Sequence, residues 1–134
     1  HPYSTRVALS SAATGDFFSF SYDKKQSTSI LYCSFTIVGH SPEYTQCGIG
    51  FKYGGSNAVW CGHWTYEGST VAKLCQGQGK LSGHSTTGSQ TMIIQWGGGS
   101  GSVRPFDIIN PNSTDDSNYY AAATVSTAFV WEVL

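Results

Sequence analysis

The chain has 134 residues, of which 16 are Gly and 4 are Cys, and only 11% are charged. Its length suits one domain around a single core, and 40% apolar with 14% aromatic residues excludes a disordered chain. A net charge of -1 excludes a nucleic-acid binder held by counterion release, and no apolar run reaches the ~20 residues of a membrane span.

The apolar residues repeat with period two between Gly, Ser, Asn and Pro clusters, the mark of strands rather than helices. In chain order, the first expected strand is Thr5 to Leu9. Phe18, Phe20 and Tyr22 then alternate with Ser19 and Ser21. Across Ile30 to Val38 one face carries Leu31, Cys33, Phe35 and Ile37. A loop from Gly39 to Gln46 contains the turn-forming Ser41-Pro42. Cys47, Ile49, Phe51 and Tyr53 form the next row, and residues 57–66 and 71–75 follow as two more strands. Gly77 to Gln90 is polar and reads as a loop, Thr91 to Trp96 as a buried strand, and Gly97 to Ser102 as a flexible link. Val103 to Ile109 is a further strand and Asn110 to Asn118 a polar connection. Residues 120–124 are at most one helical turn. Thr124 to Leu134 alternates as Val125, Thr127, Phe129, Trp131, Val133. Eight or nine short strands in residues 1–134 predict a single all-β domain, an antiparallel β-sandwich or β-barrel.

Cys33, Cys47, Cys61 and Cys75 stand at equal intervals. An even count in a short, charge-poor chain predicts two disulfides and an extracellular, secreted protein. No Cys-x-x-Cys pair supports the competing zinc site. A hairpin around Glu67-Gly68-Ser69 would set Cys61 directly across from Cys75. A tight hairpin around Gly54-Gly55 would leave Cys47 and Cys61 out of register. The expected pairing is therefore Cys61–Cys75, with Cys33–Cys47 by elimination. Asn112-Ser113-Thr114 is a glycosylation sequon that suits secretion.

Val59 to Tyr66 is the densest stretch of functional side-chain types. In an uninterrupted strand Cys61 shares a face with Val59 and His63, while Trp60, Trp64 and Tyr66 line the other. If the cysteine points inward, those three aromatics form an outward platform for sugar rings or a protein partner. The alternative is that they pack in the core, as tryptophans commonly do.

His1 invites a copper brace of the lytic polysaccharide monooxygenase kind, with His40, His63 or His84 as a further ligand. Apart from that first residue, nothing in the sequence resembles those enzymes. Two carboxylates of a glycosidase could come from Glu43, Glu67, Asp107 and Glu132, although Glu43 and Glu67 fall in expected turns. Asp115-Asp116 reads as a solvated loop. Arg6 and Arg104 alone are too few for a ribonuclease's phosphate site. No nucleophile elbow is present, and Gly97 to Gly101 lacks the lysine of a phosphate loop. No catalytic set of adequate specificity emerges, and no cofactor is expected.

A single all-β domain, four cysteines in the first two thirds, Ser/Thr/Gly-rich loops and a terminal strand Phe129-Val130-Trp131-Glu132-Val133-Leu134 together resemble a known group. It is the secreted hypersensitive-response-inducing protein elicitors of plant-pathogenic fungi. More distantly, the Alternaria major-allergen family of β-barrels is similar in size and in its two local disulfides. The resemblance implies a secreted fungal effector that plants perceive, inducing defence responses or cell death without catalysis, and a monomer is expected. It carries over no functional residue. The partner it implies is a plant cell-surface component, and a cell-wall glycan bound on the aromatic platform is the alternative. Nucleic acid and membrane insertion are not expected.

Overall fold

A computed structural model describes residues 1–9, 14–41, 45–66, 71–98, 106, 108–110 and 124–134, without the side chains of 40, 41, 45–47, 62–66, 71–73, 98 and 108. Ten strands run in the order β1 (Pro2–Tyr3), β2 (Val7–Ala8), β3 (Thr14–Lys24), β4 (Ile30–Ser41), β5 (Thr45–Tyr53), β6 (Val59–Tyr66), β7 (Val71–Leu81), β8 (Gly88–Gly98), β9 (Ile108–Ile109) and β10 (Ser126–Val133). No helix occurs among the described residues, so none is long and apolar enough to cross a membrane.

The strands form two antiparallel sheets that enclose one core. In the first sheet β4 is the axis. β10 lies along one side of it, from Thr127 opposite Thr36 to Val133 opposite Ile30. β7 lies along the other, from Leu81 opposite Leu31 to Val71 opposite Ser41. β1 adds outside β10, and β9 and β2 extend the sheet past β10. The second sheet has the order β3-β8-β5-β6. Among the described residues no ladder joins the two sheets, so the architecture is a sandwich of two sheets rather than a closed barrel.

Period-two rows fill the space between the sheets. Leu31, Cys33, Phe35 and Ile37 of β4 are all buried, facing Ile49, Phe51 and Tyr53 of β5 and Met92, Ile94 and Trp96 of β8. Each such apolar side chain taken out of water contributes roughly 1.5–3 kcal/mol. In β3 the expected row of Phe18, Phe20 and Tyr22 faces inward, with Phe18 opposite Ile94 and Phe20 opposite Met92. A bulge between Asp16 and Phe18 then breaks the alternation and buries Phe17 as well.

Several expectations need correction. The stretch 77–90 is not one loop: β7 continues to Leu81 and β8 starts at Gly88. Pairing with the full length of β4 overrides the weak strand propensity of its glycines and glutamines. The expected strands at 5–9 and 103–109 reduce to Val7–Ala8 and Ile108–Ile109 among the described residues. The hairpin expected between 57–66 and 71–75 is not formed, because β6 pairs with β5 and β7 with β4. The hairpin that does form turns at Gly54-Gly55. Both residues have positive φ (50° and 79°), and Ser56 N donates to Tyr53 O at 2.9 Å. Two consecutive left-handed residues are what a tight primed turn requires and what glycine supplies. Cys75 thus stands opposite Ile37, not Cys61, and no disulfide forms among the described side chains.

Candidate functional site

β10 brings together the residues that stand out. Its inward positions include Ser126, Ala128 and Val130, which packs against the core, with Ala128 opposite Phe35. Its larger apolar set nevertheless forms the outward row. Phe129 is 66% exposed and Trp131 38%, and Val125, Val133 and Leu134 are exposed beside them. Apolar residues clustered on a surface mark an interaction site more reliably than scattered ones.

The neighbouring strands extend that row into a grid. Trp131 stands opposite Tyr32 of β4, and their rings stack with centroids 5.5 Å apart and planes 8° apart. Tyr32 in turn stands opposite Lys80 of β7. One register step on, Phe129, Ser34 and Gln78 lie in line, followed by Thr127, Thr36 and Gln76. Gln76 Nε2 donates to Thr36 Oγ1 at 3.3 Å. Beside the aromatics an open groove of about 510 Å³ is lined by Ser34, Thr36, Gln76 and Gln78 and reaches Phe35, Gly77 and Cys61. Ring faces beside hydroxyl and amide groups, with Lys80 as the one cation in these rows, can bind a neutral polyhydroxylated ligand.

Both ends of β10 are held by polar side chains. At the start, buried Asn110 donates from Nδ2 to Tyr3 O (2.8 Å) and Thr5 O (3.0 Å). Its Oδ1 accepts from Ser126 N (2.8 Å) and Ser126 Oγ (2.6 Å), and Ser126 Oγ accepts from Val38 N at 3.0 Å. At the far end the Glu132 carboxylate accepts from Lys25 N (2.9 Å), Gln26 N (2.9 Å) and the Ser29 hydroxyl. Chiefly the Ser29 hydroxyl, then the Lys25 N–H, holds the Glu132 carboxyl below the usual carboxylate range.

Of the expected platform, Trp60 is 51% exposed. Its indole lies over two glycines of the second sheet's outer face, where a Cβ at Gly97 would come within 2.7 Å of the ring and one at Gly48 within 3.3 Å. The strand is not uninterrupted, because a bulge between Ile49 and Gly50 makes Cys61 an extra residue in β6. Trp60 stands opposite Gly50, whereas position 64 stands opposite Cys47 and position 66 opposite Thr45, in the parity of buried Ile49 and Phe51. The side chains of Trp64 and Tyr66 lie outside the described ones.

Of the copper candidates, the side chains of His40 and His63 lie outside the described ones. His1 N donates to Ala128 O at 2.7 Å, and its ring stacks on Phe20 of β3 at 4.1 Å. Strands β8 and β5 separate β3 from β6, which carries His63, so three strand spacings, roughly 14 Å, intervene. His84 packs edge-on against Tyr53 at 5.5 Å. Among the described residues no three His, Cys, Asp or Glu groups cluster as metal ligands. Glu132 is engaged in its turn, and Glu43, Glu67, Asp107 and the sequon at Asn112 lie outside the described residues.

Tyr32, Phe129, Trp131, Gln76 and Gln78 were not legible as a site. The alternation of 125–133 shows in the sequence, but a single strand's period does not say which side is out.

No family model matches the chain, and no curated protein is similar to it. Among solved structures, one titled as infectious bursal disease virus Gt strain is similar at 12% identity and a TM-score of 0.42. The match covers 97% of this chain and 30% of that one, so the chain spans under a third of that protein's length. A likeness of this degree carries no argument about function.

Proposed function

We propose that the protein is a non-catalytic extracellular recognition domain that binds a neutral cell-wall polysaccharide on the outer face of β10, β4 and β7. The observation that carries this reading is the stacked, solvent-facing Tyr32–Trp131 pair, bordered by Phe129 and by the amide and hydroxyl row of Gln76, Gln78, Ser34 and Thr36. Sugar rings offer apolar C–H faces to aromatic rings and equatorial hydroxyls to amides, and this face offers both partners side by side. Its low charge suits a glucan or chitin better than an acidic polymer.

Retention on insoluble cellulose, chitin and β-glucan is the direct test. Wild-type protein should be retained on at least one, and Trp131→Ala should weaken binding about tenfold or more, equivalent to roughly 1.4 kcal/mol. Passage of the folded wild type through all three, or retention indifferent to Trp131→Ala and Tyr32→Ala together, would refute the assignment.

The resemblance to secreted fungal elicitors sets the biology we propose, with perception by a plant through this same face. Infiltration of the folded protein into leaves should then give an oxidative burst that Trp131→Ala reduces. Equal responses to both proteins would separate perception from glycan binding.

A further inference from the structure

The space around Cys61 has a use that neither the expected pairing nor the aromatic face explains. β7 presents Cys75, Gly77 and Gly79 toward the core at successive inward positions. Gly79 stands opposite Cys33 of β4, and a Cβ placed at Gly79 would lie 2.6 Å from Cys61 Sγ. The sulfur of Cys61, from β6 of the second sheet, thus occupies the volume that a side chain opposite Cys33 would fill. Directly opposed positions in an antiparallel pair have Cβ atoms about 5 Å apart. That sets the Cys61 sulfur beside Cys33 in the core, close enough that Cys61 adds to the upward push on the Cys33 thiol. A disulfide between them needs their Cβ atoms to come to about 4 Å. Cys33 is fully buried, while Cys61 also lines the open groove. In the thiol form Cys61 Sγ donates to Val59 O at 3.3 Å, a weak interaction easily given up.

We propose that Cys33 and Cys61 form a disulfide that ties β4 of the first sheet to β6 of the second. The oxidant is a small-molecule disulfide such as oxidised glutathione. The Cys61 thiolate, reached through the groove, attacks one glutathione sulfur and expels a glutathione thiolate. The Cys33 thiolate then attacks Cys61 Sγ in the mixed disulfide, forming the Cys33–Cys61 bond and expelling the second glutathione. Two protein thiols lose two electrons and two protons, and the glutathione disulfide gains them as two thiols. Burial, then the neighbouring Cys61, pushes the Cys33 thiol up to about 12, and burial pushes Cys61 up to about 11. Exchange is therefore fastest before the core closes, during oxidative folding. Once formed, the bond staples the two sheets across the core.

The test uses the whole protein folded with oxidised glutathione, quenched in acid and alkylated without reduction. Trypsin with a glutamate-specific protease cuts at Lys25, Glu43, Lys52, Glu67, Lys73 and Lys80, so each cysteine falls on its own peptide. Peptide 26–43 should be joined to 53–67, lighter by two hydrogens than their sum. A link from 26–43 to 44–52 or 74–80, or alkylated thiols on both 26–43 and 53–67, would overturn the proposal. A loop of roughly 29 residues is closed, so reduction should lower the melting temperature by ~10 °C. Cys61→Ala should lower it by as much, with no further loss in Cys33→Ala/Cys61→Ala. Additive losses in the two single variants would mean the sulfurs act separately.

Discussion

The two ends of β10 are fastened by different chemistry. At its start Asn110 is neutral and buried, and every hydrogen-bonding position of its amide is used. Its backbone is also left-handed, φ 50°, a conformation asparagine tolerates better than most residues. At its end Glu132 is charged and near the surface, and it holds the turn between β3 and β4 through N–H and O–H donors. A neutral buried clamp is insensitive to pH and salt but costly to remove, because its partners are left dry and unpaired. A carboxylate clamp is cheap to place at a surface but works only while ionised.

The largest effect should come from Asn110→Ala, which removes the partner of the Tyr3 and Thr5 carbonyls and of the buried Ser126 donors at once. We expect a loss of about 3 kcal/mol in denaturant unfolding. Asn110→Gly should recover about 1 kcal/mol of that, the part owed to the left-handed backbone. Equal losses in both variants would assign the whole effect to the side chain.

Glu132→Gln should be milder, lowering the melting temperature at neutral pH by roughly 3–6 °C. The folded carboxyl sits below its unfolded value, so its stabilisation is complete above the ordinary glutamate range of about 4.3 and fades as pH falls through the lower folded value. Wild type and variant should therefore converge as the pH falls well below the ordinary glutamate range. A gap that persists there would mean that the substituted amide fails on shape rather than charge.

The smallest stability change should come from the next residue along, Trp131→Ala. It points to the opposite side of the strand and loses its stack on Tyr32 with some covered surface, costing about 1 kcal/mol. Its effect belongs to binding, so the neighbours 131 and 132 should separate recognition from stability. A stability loss at 131 matching that of Asn110→Ala would place the indole in the core instead.

What could be read in the sequence divides along the same physical line. Rows confined to one strand were legible: Leu31 to Ile37, Ile49 to Tyr53 and Phe18 to Tyr22 all face inward as their alternation implies. Features that depend on a neighbouring strand were not. The bulge at Cys61 separates Trp60 from the parity of positions 64 and 66, and nothing in residues 59–66 signals the extra residue. The partner of β6 depended on a choice between two plausible turns, and the Gly54-Gly55 turn prevailed. Asn110 looked like one more polar loop residue, since its role exists only once Tyr3, Val38 and Ser126 converge on it.

The placement of β10 also sets the order in which the molecule can be made. β4 is the axis of the first sheet, yet the strand that covers one of its sides is synthesised after β1 to β9, with Glu132 opposite Leu31. While the chain grows, β4 can pair with β7 but keeps an open edge of unsatisfied backbone groups, the kind that recruits other strands. The ring of Tyr32 has no Trp131 to stack against until that edge closes. Assembly of the aromatic face thus waits on pairing between residues about a hundred positions apart, and long-range pairing of this kind is slow.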